Sequence, residues 1–195
     1  MSALDIGWVL RPARGEVVCG DHVVFVEDET TSLLAVLDGL GHGPRAAMAS
    51  EAAGDYIREN PKLPLERMVR GCDAAIRHTR GVAMAAIRIH HAGMLLEHVG
   101  VGNVEVTSRS VEKVRPVPQP GIVGGRLRRV MVTEYRLHPG DVIVMHSDGI
   151  SRLHELEPLI RPGAEQTAEA ILGSAGLAHD DASCLVVRVR TKAQA

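Results

Sequence analysis

Leu33-Leu34-Ala35-Val36-Leu37-Asp38-Gly39-Leu40-Gly41-His42-Gly43 is the stretch on which the reading of this chain turns. A short apolar run bounded by turn residues suits a buried β-strand. The run ends on a carboxylate, which destabilises a strand end unless a partner compensates it. Glycine follows at once and lets the backbone approach a ligand closely. The same grammar recurs where Val142-Ile143-Val144-Met145 leads through His146 to Ser147-Asp148-Gly149. It appears in mirror order where His179-Asp180-Asp181 precedes the apolar run Ala182–Val189, and Cys19-Gly20-Asp21 adds another acidic point. An isolated Asp-Gly is ordinarily a turn. Carboxylates gathered from several strand ends repel one another unless cations neutralise them, and all-oxygen donors suit hard divalent ions. The expectation is therefore a metal cluster of two ions, the arrangement typical of phosphoester hydrolysis.

Composition narrows the alternatives. The chain has 195 residues, 45% hydrophobic and 24% charged, which suits one globular domain over 1–190 with 191–195 as a short flexible tail. A net charge of -2 gives no reason to expect a nucleic-acid or anionic-membrane partner. No apolar stretch spans a bilayer and no secretory signal opens the chain, so the expected location is cytoplasmic. Cys19, Cys72 and Cys184 are widely separated, which reads as reduced thiols and argues against zinc. The aromatic residues are Trp8, Phe25, Tyr56 and Tyr135 alone, so the core is aliphatic and no platform for stacking bases exists. There is no GxSxG elbow, no CxxxxxR loop and no P-loop lysine, which counts against covalent catalysis and nucleotide hydrolysis. The oligomeric state stays open.

The periodicities predict strands over 5–10, 17–26 and 32–37, then helices over 44–59 and 64–78. Pro44 suits a helix first turn, and Asn60-Pro61 stops the helix. Strands follow over 82–89, 94–99, 104–107, 128–137 and 141–146, with His138-Pro139-Gly140-Asp141 as a tight turn. A helix over 165–175 and a final strand, Ala182–Val189, complete the chain. Strict βαβ alternation is absent, so the fold class expected is α+β, a two-layer β sandwich flanked by helices.

The order GD, DGxGHG, SDG and DD before a terminal strand resembles the metal-dependent serine/threonine protein phosphatases of the PPM family, nearest to the SpoIIE/RsbU branch. The similarity runs over about 5–190. A short length without a fused sensor domain, with Val99-Gly100-Val101-Gly102-Asn103 and Gly121-Ile122-Val123-Gly124-Gly125, looks most like the stand-alone RsbX phosphatases. The resemblance implies an αββα sandwich, two central antiparallel sheets flanked by helices, with a Mn²⁺ or Mg²⁺ pair at one end of the strands. By motif, Asp38 would bridge both ions, Asp21 and the Gly39 carbonyl would hold one, and Asp148 with Asp180 the other, Asp181 being the second choice. Gly20, Gly41 and Gly43 would shape the loops. His42 would serve as acid or water organiser, or would cap the Pro44 helix.

Other residues carry weaker signals. Arg11 and Arg14 are candidates by position for gripping phosphate, while His90, His91 and His146 read as strand or surface residues and Cys184 as core. The segment 116–129, rich in glycine and arginine, reads as a mobile docking loop or a solvated connector. The implied partners are phosphorylated STAS-domain proteins of the RsbS/RsbR type, dephosphorylated to reset stress signalling. The alternatives are an RsbU/SpoIIE-like phosphatase acting on an anti-anti-sigma factor and a catalytically silent STAS-binding module. The cluster of mutually repulsive carboxylates counts against the silent module.

Overall fold

Alternation of side chains along the strands sorts the molecule into layers. The computed structural model describes residues 3–151 and 155–191; residues 192–195 of the expected tail lie outside the described residues. In β3 (Thr31–Gly39), Leu34 and Val36 enter one core while Leu33, Ala35 and Leu37 enter another. β4 (Val82–His90) divides likewise, with Ala85 and Ile87 on one side and Met84 and Ala86 on the other. Strands buried on both faces read as continuous apolar runs, which is why these stretches show no polar alternation in sequence.

The remaining strands are β1 (Leu4–Arg11), β2 (Asp21–Glu27), β5 (Leu95–Val101), β6 (Glu105–Arg109), β7 (Val132–Arg136), β8 (Val142–His146) and β9 (Ala182–Val189). They form one sheet in the order β1-β9-β8-β6 and another in the order β2-β3-β4-β5-β7, every pairing antiparallel. Leu34, Val36, Ile87, Ile143, Met145 and Leu185 fill the space between the sheets. On the outer face of the second sheet lie α1 (Pro44–Glu59) and α2 (Leu65–Ala75), through Ala49, Ala53, Ile57, Met68 and Cys72. Ala168 and Ile171 of α3 (Ala164–Ala175) cover the first sheet, against Val144, Cys184 and Val186. The αββα sandwich is thus the fold found, and Cys184 is core. No described helix is long and apolar enough to cross a membrane.

Helix α1 keeps its expected bounds because Pro44 needs no amide partner in the first turn and Pro61 disfavours helix at Asn60. The tight turn at 138–141 also forms, with Gly140 at φ 93° and the Asp141 amide donating to the His138 carbonyl at 3.0 Å.

Three elements depart furthest from expectation. α2 ends at Ala75 rather than 78, where the Thr79 hydroxyl donates to the Ile76 carbonyl at 2.7 Å and Gly81 turns the chain at φ 83°. β2 begins at Asp21 rather than 17, and Val17 is 94% exposed, because β3 has already turned away past Gly39 and offers no partner. β7 begins at Val132 rather than 128, because the preceding residues are bound across β4 and β5 instead. Val123 exchanges backbone bonds with Val82, Gln119 with Gly100 and Gly102, and the Gly124 amide donates to Asp73 Oδ1 at 2.9 Å. The middle of the segment 116–129, over 119–124, is thus tied by backbone bonds to β4, β5 and α2.

Candidate active site

Strand register delivers the acidic residues to one end of the sandwich. β2 and β3 pair so that Asp21 lies directly opposite Asp38. In the other sheet β8 runs toward that end and β9 away from it, so Asp148 after β8 and Asp180-Asp181 before β9 arrive together. Ser147 ties the two sheets: its hydroxyl donates to Asp21 Oδ2 at 2.5 Å and accepts the Ser183 amide at 3.0 Å. Across the opening, the Asn103 amide donates to Asp148 Oδ2 at 2.5 Å. Asp181 is buried, with Oδ1 accepting the Ala13 amide at 2.8 Å and Oδ2 left without a donor among the described residues.

Glycine is required where α1 meets these strand ends. A Cβ on Gly39 would strike the Ala46 carbonyl, and one on Gly20 would lie 2.8 Å from the Ala46 methyl and 2.5 Å from Asp181 Oδ2. Gly41 and Gly43 turn the following loop at φ 87° and 71°, which favours glycine.

The electrostatics of the cluster are those of crowded carboxylates. Burial, followed by the charges of Asp21, Asp148 and Asp180, pushes the Asp38 carboxyl up to about 8, while the Asn103 amide opposes the shift. Asp21 is raised to about 6, chiefly by burial, against the pull of the Ser147 and Ser183 hydroxyls. Asp180 is raised by burial and then by Asp148. Burial pushes the Cys19 thiol up to about 12, so it stays protonated and is no nucleophile. Among the described residues, no three His, Cys, Asp or Glu side chains are gathered tightly enough to enclose an ion by themselves. The carboxylates feel one another's charge, yet Asp21, Asp148 and Asp181 are each held by a protein donor.

The structure thus brings together Asp21, Asp38, Asp148 and Asp180, with Asp181 lying against Gly20. His42 stands apart. Its ring is exposed, with Nδ1 2.6 Å from Glu16 Oε1, and it does not cap α1, whose N-cap is Gly43. Arg11 is occupied by the Leu177 carbonyl at 2.6 Å, and Arg14 is exposed. His146 is buried, donating from Nδ1 to the Ser147 carbonyl at 2.9 Å. Sequence reasoning gave no role to Ser147, Asn103 or Glu16. Ser147 and Asn103 lie inside stretches already singled out, and that adjacency was the available signal.

The sequence pattern described as Stage II sporulation protein E (SpoIIE) matches residues 28–190. The chain belongs to the SpoIIE family. Phosphoserine phosphatase RsbX of Bacillus subtilis (strain 168) is 27% identical over 140 residues, 71% of this SpoIIE-family chain and 70% of that protein. A solved structure described as "The bacterial stressosome: a modular system that has been adapted to control secondary messenger signaling" superposes with a TM-score of 0.90 at 31% identity, covering 95% of this chain and 99% of that one. RsbX in complex with magnesium superposes with a TM-score of 0.85 at 21% identity, covering 95% of each chain, which shows a shared fold. This SpoIIE-family member is a serine/threonine protein phosphatase.

Proposed function

We propose that this chain is a Mn²⁺- or Mg²⁺-dependent phosphoserine/phosphothreonine phosphatase of the RsbX kind, cytoplasmic, with 1–190 as one catalytic domain. Its substrates are phosphorylated STAS-domain proteins of the RsbS/RsbR type, and its task is to reset a stressosome-type module. The observation that carries the reading is the pairing of Asp21 with Asp38 beside Asp148 and Asp180, at a depth where the protons on Asp38 and Asp21 leave reluctantly. Likeness to RsbX and to a stressosome-related structure supports the substrate class.

The residues suit hard cations. All donors are oxygens, the carboxylates repel one another without a counter-charge, and Asp181 Oδ2 lacks any donor among the described residues. Asp38 would be shared between two ions, Asp21 and the Gly39 carbonyl would hold one, and Asp148 with Asp180 the other. Bound there, such ions acidify water for attack on phosphorus and neutralise charge on the phosphoryl oxygens. The protein's own contribution is placement. Ser147 turns Asp21 toward the cluster and Asn103 turns Asp148, as supporting hydrogen bonds orient metal ligands generally. Gly39 and Gly20 let α1 pack closely against the strand ends. His42, held on Glu16 at the rim, suits proton exchange with solvent better than direct transfer to a leaving group.

The test is phosphate release from a phosphorylated STAS-domain protein and from an aryl phosphate, with Mn²⁺, with Mg²⁺ and after exhaustive chelation. Activity restored by either ion supports the proposal. Turnover that survives chelation unchanged overturns the metal dependence, and inertness toward the phospho-STAS protein overturns the substrate class.

A further inference from the structure

A cavity of about 740 Å³ opens beside Asp148, a volume in the range of ligand sites. Its inner side is formed by Asp148, Asn103, Thr107 and the buried His146. Its outer side is formed by the chain from Arg115 to Pro118, where Val117 is 76% exposed. Pro116 and Pro118 stiffen that wall, since proline fixes its own backbone angle and restricts the residue before it.

Charge is divided across the cavity. Asp148 makes the inner side acidic, and the one Lys or Arg among its described lining residues is Arg115 on the outer side. Among the described residues Arg115 makes no hydrogen bond or ion pair. It does not pair with Asp148, which Asn103 holds instead. Its guanidinium therefore has no partner among the described residues and can meet a group brought into the cavity.

We propose that this cavity takes the substrate polypeptide adjoining the phosphorylated residue, and that Arg115 is a specificity residue recognising a carboxylate side chain flanking that residue. The inference rests on the phosphatase reading above. With the phosphoryl group at the Asp38–Asp148 end, the polypeptide enters over Val117 and the prolines. A flanking Asp or Glu then meets the guanidinium, whose planar fork accepts a carboxylate through paired hydrogen bonds. A flanking Lys would meet an unpaired like charge, so the site discriminates as well as binds.

The experiment compares phosphoserine peptides carrying Asp or Lys beside the phosphoserine, with p-nitrophenyl phosphate as the reference. Wild-type protein should favour the Asp peptide, and the ratio of kcat/KM for Asp over Lys should fall about tenfold in Arg115→Ala, the scale of one charge-assisted hydrogen bond. Arg115→Lys should retain part of the preference and Arg115→Glu should invert it, which a purely structural role would not produce. Equal losses on both peptides and on p-nitrophenyl phosphate, or an unchanged ratio, would overturn the assignment. Binding gives a readout that needs no turnover: NMR titration of the Asp peptide should shift the amides of Thr107 and Val117 in wild type, and less in Arg115→Ala. If those amides stay still the cavity proposal fails, whereas peptide binding without hydrolysis would count against the phosphatase reading alone.

Discussion

The two ends of the β sandwich treat aspartate in opposite ways. At the far end, Asp28 follows β2 and accepts the Thr30 amide at 2.8 Å, the Thr30 hydroxyl at 2.7 Å and the Thr31 amide at 2.9 Å. These bonds hold its carboxyl well below the usual range. Asp141 at that end is buried but satisfied, taking the Val111 amide at 2.9 Å and the His138 amide at 2.8 Å. At the near end Asp38 is raised to about 8, because burial and three neighbouring carboxylates outweigh the single amide of Asn103. The turn aspartates take two or three donors each, whereas the proposed ligand aspartates have fewer donors and crowd one another. The side-chain type is the same, and the neighbours decide its use.

The sharpest way to break this comparison is to neutralise one residue from each end. Asp38→Asn should lower phosphatase turnover by at least about a hundredfold while leaving the fold intact. Near wild-type turnover, measured as phosphate release with Mn²⁺, would remove Asp38 from the site. Asp141→Ala should do the reverse: it removes a buried carboxylate that holds two part-buried amides and destabilises by about 1–3 kcal/mol in denaturant unfolding, with activity kept below the melting point. A stability loss smaller than that of Asp38→Asn would erase the contrast.

A smaller effect lies in pH. Asp38 and Asp21 titrate above the unfolded value of 3.8 when folded, so each contributes stability while protonated. In chelated protein that contribution is full below about pH 4 and is lost as pH rises through about 6 for Asp21 and about 8 for Asp38. The melting temperature without metal should fall across this window, and Asp38→Asn should flatten its upper part. Adding Mn²⁺ near pH 7 should restore stability and release protons, measurable in weakly buffered solution. A metal-free melting temperature that rises from pH 4 to 8 would contradict the crowding. The smallest effect is expected from Asp28→Ala, whose carboxylate is exposed: a slight drop in melting temperature near neutral pH that disappears in acid. A larger loss than that of Asp141→Ala would reverse the ranking.

Much of the architecture was legible from the residues. Period-3.6 stripes, Pro44 and Asn60-Pro61 locate α1 to both of its ends, and the apolar run Ala182–Val189 is the terminal strand. Misplaced boundaries came where a strand-like residue had no partner to pair with. Val17 and Val18 have β propensity but protrude as a loop, and residues 128–131 stay out of β7 because the chain before them is fastened to β4 and β5. Strand existence follows from the segment itself, but its ends follow from the neighbour. The candidate site divides the same way. Its aspartates were readable because each sits beside an apolar run, whereas Ser147, Asn103 and Glu16 were not, since their roles depend on contacts 126, 45 and 26 residues apart in sequence.

The line between the two kinds of information is physical. Local order settles which stretches are strands and helices, that the core is aliphatic, and that carboxylates stand at strand ends, because propensity, alternation and capping act over a few residues. Register and packing settle the rest: that Asp21 faces Asp38, that Ser147 joins the sheets, that Asp28 and Asp141 become turn residues, and that Arg115 shares a cavity with Asp148. Charge repulsion, burial and donor supply all depend on distance in space, and only the folded chain sets those distances.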